Sequence, residues 1–536
     1  MTQEVTGGEA AVLSLHNHGI DTIFGLPGVQ NDWLYNAFYD HREKFRIIHT
    51  RHEQGAAYMG LGYALAKDDP TVFNVVPGPG LLNATAAMST AYALNAKLFC
   101  LTGQISSRAI GKDWGELHEI NDQLGVIRGL TKWADRANAP SDVPGLIHEG
   151  FRQMLSGRPR PVGLEIPMDV LAAKAQVDLL SGNVQGDEPE LDEDAVEAAA
   201  KLLGQAKSPM IFVGSGAQSS SALVRELAET LQAPVVGYRT GMGVVDARSY
   251  LSLHQPAAKA LWDKADVVLA IGSNMRVPAR KWIKGHAPQI IRIDVDPDTH
   301  EKFFIPACAI TARAERALPV LMSRLERHNH VRASRKDELL EAKAKWAERS
   351  AVLEPQLSYL KVIREELGED GVFVDELTQV GFASRITYPV YNPRTFISTG
   401  YQGTLGYGFP TALGVKLARP DVPVISVCGD GGFMFGVQEL ATAVQHKIPL
   451  IVLLFNNNQY GNVQQMQKNN YGGRVIATDL HNPDFLRMVD SFGAQALRAT
   501  TSEEVRTAIQ QGKRTTDVPT VIEVPFTEMP SVDQFR

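Results

Sequence analysis

The chain has 536 residues, of which 44% are hydrophobic and 21% charged, and its 53 basic and 60 acidic side chains leave a formal net charge of −7. That length exceeds what one hydrophobic core can organise, so a soluble protein of three or four domains is expected. The weak acidic balance gives no electrostatic footprint for nucleic acid or for an anionic membrane surface. The longest apolar runs, such as 449–455, are strand-sized and cannot span a bilayer. Cys100, Cys308 and Cys428 are too few and too scattered for a disulfide framework or a zinc site, and each sits in an apolar context. The N-terminal segment has no basic stretch leading into an apolar one, as a signal peptide would. A cytoplasmic location follows as an expectation.

In chain order, the first block alternates short β-rich runs (DTIFGLPG, TVFNVVPG, KLFCLTG, PVGLEIP) with alanine-rich helical stretches. Such alternation predicts a parallel sheet covered by helices on both faces. An acidic, proline-containing segment at 183–197 reads as a solvated linker leading into a helix. The second block repeats the pattern in PMIFVGSG, APVVGYRTG, DVVLAIGS and QIIRIDVDPD. The charged helix predicted near 335–350 reads as a surface connector. A third block alternates once more through GVFVDELTQ, TFISTGYQG, VPVISVCGDGG, PLIVLLFNNN and TVIEVPF. The fold class is therefore α/β, with three domains of mainly parallel sheets at 1–180, 190–335 and 355–536.

Three places carry chemistry. In RHEQGAAYMGLGYALA, Glu53 opens a helix of small and apolar residues at a strand end, with no adjacent partner. An acid there is commonly no more than a partner for the helix dipole. Neither His52-Glu53 nor His118-Glu119 is followed by the second His of a zinc helix. In GTLGYG, Leu405 stands among glycines, 25 residues before Asp430. In the third, a strand ends in Gly429, Asp430, Gly431 and Gly432, and the next ends in Asn456-Asn457-Asn458-Gln459-Tyr460-Gly461. Asp430 and Asn457 lie 27 residues apart, the length of one βαβ crossover, which brings them to the same sheet edge. One carboxylate, one amide oxygen and a backbone carbonyl make a hard set of low charge. It suits Mg²⁺ or Ca²⁺ only if phosphate oxygens and water complete the shell. Gly431 and Gly432 permit close approach of the backbone, and a following helix N-terminus favours negative charge.

The stretch 429–457, closing on NNNQYG, resembles the signature of the thiamin diphosphate-dependent decarboxylases and carboligases. The resemblance extends over nearly the whole chain. FGLPG, RHEQGAA, PGPGLLNA, LTGQIS and SGRPRPVGLEIP occur in the order seen above all in acetolactate synthase catalytic subunits and pyruvate oxidases. It implies pyrimidine-binding, central and diphosphate-binding domains in that order, with Mg²⁺ held by Asp430, Asn457 and the carbonyl of Gln459. Asn456 would serve the loop. Gly429, Gly431, Gly432, Tyr460 and Gly461 would line the cofactor cradle, Leu405 would bend the cofactor from beneath, and the Gly403 carbonyl would accept its 4′-amino proton. Glu53, in a desolvated setting, would share a proton with the aminopyrimidine and so activate the thiazolium. Pro79, Asn83, Gln104 and His118 would face cofactor or substrate, with Glu53, Gln104 and His118 in catalytic roles. A 2-oxo acid would lose CO₂ to give an enamine, which is protonated or ligated to an acceptor carbonyl such as an aldehyde or a second 2-oxo acid.

The resemblance also implies a homodimer or homotetramer, because the glutamate of one subunit meets the diphosphate site of its partner. Departures fall in the pocket: Leu117-His118-Glu119 replaces Phe-Gln-Glu, Met466 stands near a Trp position, and Val76 replaces a histidine used by benzoylformate decarboxylases. Val76, Gln104, His118, Met434, Val463 and Met466 are pocket candidates suited to a small or medium 2-oxo acid without a strong counter-charge. FAD is a weaker expectation. LSLHQPAA looks like a flavin-contacting loop and IRIDVDPD, with Asp294 and Asp296, like an adenosine-binding strand end common in this fold, whereas Gln255 and Asn274 stand where a glycine and an arginine would be expected. Alternative functions are an FAD-linked oxidase of the pyruvate oxidase type and a non-catalytic subunit that binds the cofactor.

Overall fold

The computed structural model describes residues 2–283 and 285–535. It contains three six-stranded sheets, and every strand pair within them is parallel. The first runs Arg46–His49, Thr22–Gly25, Thr71–Val75, Leu98–Gln104, Val162–Pro167, Trp133–Arg136 across the sheet. The second runs Ser252–Leu253, Val235–Gly237, Met210–Val213, Val267–Ile271, Gln289–Asp294, Cys308–Thr311. The third runs Phe396–Ile397, Val372–Val374, Val424–Gly429, Ile451–Asn456, Thr520–Pro525, Gln495–Arg498. Central strands such as Val424–Gly429 and Ile451–Asn456 are apolar almost without interruption because helices cover both faces of each sheet. A two-stranded antiparallel ribbon joins Thr2–Thr6 to Lys174–Asp178 and was not foreseen; its strands are polar and mostly exposed, with little hydrophobic pattern to read.

The segment expected to be a surface connector is the helix Lys336–Ser350, and it is more than that. Leu339 and Ala342 enter the core of the central domain, Trp346 enters the core of the third, and the Trp346 indole N–H donates to the Ile386 carbonyl at 2.9 Å. Its many charged residues hide a narrow apolar stripe spaced at three to four residues.

The first and third domains share one hydrophobic core. The helix Glu53–Lys67 is buried from Gly55 to Ala64 on every side, packed between its own sheet and the helix Gly408–Ala418 of the third domain. The two helices meet backbone to backbone. A Cβ on Gly62 would lie 2.0 Å from the Thr411 carbonyl oxygen, and one on Gly414 would lie 1.9 Å from that of Met59. This contact fixes the helix that begins at Glu53 to the domain that carries Asp430. Among the described residues, no helix is long and apolar enough to cross a membrane.

Candidate active site

The strands Val424–Gly429 and Ile451–Asn456 are neighbours, with Gly429 opposite Phe455, so Asp430 and Asn457 leave the same sheet edge. Asp430 begins a one-turn helix, Asp430–Phe433, and is 2% exposed. Burial raises its carboxyl above the usual aspartate range, and the Asn482 amide, donating to Oδ2 at 2.7 Å, acts against that rise. Asn456 is spent on the loop: its amide donates to Glu523 at 2.8 Å and its oxygen accepts from Asn458 N–H at 3.1 Å and from Asn482 at 3.1 Å. Asn458 adopts a left-handed conformation (φ 56°), which turns the chain so that Gln459 and Tyr460 run along the edge beside Thr478 and Asp479. A Cβ on Gly461 would lie 3.1 Å from the Asn457 amide nitrogen, and one on Gly431 would lie 2.5 Å from the Tyr460 ring.

These residues open onto a cavity of about 1600 Å³. Gly429, Asp430, Gly431, Gly432, Gln459, Tyr460 and Gly461 line it together with Gly403 and Leu405. The loop that carries Leu405 is held by Glu376, whose Oε1 accepts the Gly406 N–H at 2.7 Å. Glu376 is fully buried, and burial pushes its carboxyl up to about 7. Gly403 and Gly406 have φ of 61° and 77°, a conformation that explains why Leu405 is flanked by glycine on its C-terminal side. Among the described residues, no group of three or more His, Cys, Asp or Glu side chains could hold a metal. The donor set is one carboxylate with amide and carbonyl oxygens, which fits a divalent cation whose charge is largely matched by a diphosphate. Gly429, Gly431 and Gly432 turn backbone toward the cavity at the start of the helix Asp430–Phe433, with the Tyr460 ring and the Glu376 carboxylate filling the space a Cβ would take at 431 and 432, so the residues present fit the group.

The second cluster lies in the first domain. The strand Arg46–His49 feeds the helix Glu53–Lys67 through a tight turn in which His52 Nδ1 accepts the Gln54 N–H at 3.1 Å. Asn83, on the helix Pro79–Leu94, donates to Glu53 Oε2 at 3.0 Å. Val76 packs where a Cβ on Gly80 or on Gly28 would be, 2.6 Å from its methyls in each case. His118, with φ 68°, bonds through Nδ1 to Gln30 Oε1 at 2.9 Å, and its carbonyl closes on Gly78. Gln104 is buried, and its amide is spent internally: Oε1 accepts from Ile105 N–H at 2.8 Å and Nε2 donates to Glu165 at 3.2 Å.

The chain thus gathers Glu53, Asn83, Val76, Pro79 and His118 in one place and Gly403, Leu405, Asp430, Asn457, Gln459 in another. Gly403, Leu405, Asp430 and Gln459 line the cavity, Asn457 lies beside them without lining it, and none of the first set lines it. The desolvated setting expected for Glu53 is also not found within one chain, where it is half-buried beside an exposed Asn83. The chain holds two separate clusters. Three residues with clear roles in them were missed in the sequence: Asn482, Glu376 and Glu439, whose carboxylate accepts the backbone N–H groups of Arg51 at 3.1 Å and His52 at 3.0 Å. No local motif marks a side chain that acts across such sequence distances.

The same cavity continues into the central domain past Gly214, Gly216, Gln255, Asn274 and Asp294. Here the expected adenosine contacts are already engaged. Arg158 holds Asp294 at 2.8 Å and Asp296 at 3.0 Å, closing the strand end with an internal ion pair. Among the described residues nothing in this domain favours an FAD-linked oxidase.

Three family models match the chain, described as the N-terminal, central and C-terminal domains of thiamine pyrophosphate enzymes, over residues 5–126, 196–321 and 378–524. The chain belongs to the thiamine pyrophosphate enzyme family. Among similar proteins is a probable 2-ketoarginine decarboxylase of Pseudomonas aeruginosa, 32% identical over 95% of this chain and 92% of the relative. An acetolactate synthase large subunit of Haemophilus influenzae is 30% identical over 95% and 92%. The mitochondrial acetolactate synthase catalytic subunit of Saccharomyces cerevisiae is 29% identical over 95% and 79%. The chain is a thiamin diphosphate-dependent enzyme of the acetolactate synthase-like group that holds decarboxylases and carboligases.

Proposed function

We propose that the protein decarboxylates a 2-oxo acid and releases or ligates the resulting acyl-anion equivalent, with each site built from two chains. The observation that carries this reading is that one chain holds two separate clusters, one with Glu53 and Asn83 and one with Asp430 at the cavity, which two chains could bring together. When bound, thiamin diphosphate supplies a thiazolium that accepts the electron pair left when CO₂ departs. Asp430, Asn457 and the Gln459 carbonyl would hold Mg²⁺, and glycines 429, 431 and 432 with Tyr460 and Gly461 would form the cradle for the diphosphate. Leu405 supports the bend and the Gly403 carbonyl accepts an amino proton. Glu53 Oε holds the proton that the aminopyrimidine ring nitrogen needs, and Asn83 keeps that carboxyl in register.

Assembly as a dimer, or a tetramer of such dimers, would desolvate Glu53 by placing the partner's cradle over it. Exposed apolar side chains support this. Leu82, Trp114 and Leu117 flank the Glu53 half, and Met434, Phe435, Val463 and Met466 flank the Asp430 half. His118 and those apolar residues form a pocket for a 2-oxo acid with an aliphatic side chain; Gln104 serves it indirectly, through the network with Glu165 and Gln123. Domain boundaries at 1–180, 190–335 and 355–536 and a cytoplasmic location, for which three free buried cysteines are suited, complete the reading.

A panel of 2-oxo acids, supplied with thiamin diphosphate and Mg²⁺ and with or without acceptor aldehydes, tests it by CO₂ release and by C–C bonded products. The expected result is CO₂ release from a small or medium acid. Absence of CO₂ and of ligated product from every acid, with cofactor demonstrably bound, would count against it.

A further inference from the structure

The turn that delivers Glu53 is held by a residue of another domain. Glu439 begins the helix Glu439–Gln445, the first full helix after the Asp430 turn, and its side chain is fully buried. Its Oε1 accepts the His52 N–H at 3.0 Å, and its Oε2 accepts the Arg51 N–H at 3.1 Å and the Thr442 hydroxyl at 2.6 Å. Arg51 and His52 are the two residues immediately before Glu53, and their N–H groups lie beyond the hydrogen-bond ladder of the strand Arg46–His49. The carboxylate reaches them only because residue 55 is glycine: a Cβ there would lie 2.4 Å from Glu439 Oε1. The geometry therefore gives Gly55 of RHEQGAA a physical reason, which is to admit a carboxylate from the third domain.

We infer that Glu439 is a positioning residue that fixes the backbone of Arg51 and His52 and thereby aims Glu53 at the cofactor. The inference rests on the proposed role of Glu53. Two charge-assisted bonds to consecutive N–H groups set the direction of the helix's first residue, because N–H vectors that close on one carboxylate fix the peptide plane between them. Neither a glutamine nor a shortened acid reproduces this. A glutamine has one acceptor oxygen and turns an N–H donor toward the second backbone N–H. In the dimer proposed above, Glu439 belongs to the chain that supplies Glu53 to one site and Asp430 to the other, so its carboxylate joins the two sites of the dimer through a single chain.

The test uses the full-length enzyme and the variants Glu439→Gln and Gly55→Ala, which disturb the same contact from opposite sides. In the apoprotein, deuterium exchange of the backbone amides in a peptide spanning 47–58 should speed by at least ~10-fold at Arg51 and His52 in both variants. In the cofactor-loaded enzyme, the rate of exchange of the bound thiazolium C2 proton in D₂O should fall by ~10–100-fold, while the dissociation constant for thiamin diphosphate with Mg²⁺ stays within ~3-fold. A purely structural role would lower cofactor affinity and the melting midpoint together and leave the exchange rate of the bound cofactor at the wild-type value; that outcome overturns the inference. Unchanged amide exchange in a folded Glu439→Gln also overturns it. Glu53→Gln, measured alongside, separates the two ideas, since a wild-type C2 exchange rate in that variant would remove the role of Glu53 itself.

Discussion

Glu53→Gln should reduce kcat for a 2-oxo acid by about 10²–10⁴-fold, the range a positioned acid–base group contributes, while leaving cofactor affinity within a few-fold of wild type. Glutamine keeps the shape of the side chain and can still accept the Asn83 amide hydrogen bond that Glu53 receives at 3.0 Å. It cannot take up and return a proton at the pyrimidine ring nitrogen. The loss should therefore appear in kcat and kcat/KM alike, because the interaction removed belongs to activation and not to substrate binding. Steady-state kinetics at saturating thiamin diphosphate and Mg²⁺ check this directly. Full turnover in the variant would show that the activating acid lies elsewhere.

Asp430→Asn should abolish activity by a different route. Asp430 is the one acidic side chain proposed at the metal, and Asn457 and the Gln459 carbonyl are neutral, so the substitution leaves a cation with no protein charge. Cofactor affinity in the presence of Mg²⁺ should fall by at least ~100-fold, read by calorimetric titration. The fold should survive. The carboxylate accepts the Asn482 side-chain amide at 2.7 Å, and an asparagine oxygen at 430 can still accept that bond, more weakly. A second readout follows from linkage: adding thiamin diphosphate and Mg²⁺ at ~100 times the wild-type dissociation constant stabilises wild type by about 2.7 kcal/mol and the variant by no more than about 0.4 kcal/mol. Equal stabilisation of both would place the metal elsewhere.

The fold was legible because each block writes its strands as continuous apolar runs and its helices as alanine-rich stretches, the pattern of sheets buried on both faces. Strand ends were legible too, since GDGG and NNNQYG interrupt two such runs abruptly. Three things escaped. The ribbon of Thr2–Thr6 with Lys174–Asp178 is held by backbone pairing between polar segments more than 160 residues apart, and no local pattern announces that. The apolar stripe of Lys336–Ser350 is Leu339, Ala342 and Trp346 among charges, so the helix read as solvated although it joins two cores. Glu376, Glu439 and Asn482 are ordinary polar residues in sequence and acquire their roles only when distant segments meet at the site.

The separation of the half-sites is the other lesson. Glu53 was expected in a desolvated setting, and the single chain leaves it half-buried; in the proposed dimer a second copy would cover it. The motif carries the residue types of the site and not the environment around them. The exposed Leu117 and Trp114 (57% and 60%) beside this half, and the exposed Val463 and Met466 beside the other, are where that cover would close.

Mixing the two inactive variants tests the central claim most directly. Glu53→Gln and Asp430→Asn subunits, co-expressed under separate tags and purified as the doubly tagged hybrid, carry one damaged half-site each. If every site joins Glu53 of one chain to Asp430 of its partner, one site of each hybrid dimer is doubly damaged and the other is intact. A random one-to-one mixture should then recover about a quarter of wild-type activity, and the purified hybrid about half, from parents that are each nearly inactive. Activity in the hybrid no higher than in either parent would mean that both groups act within one chain, and would contradict the account.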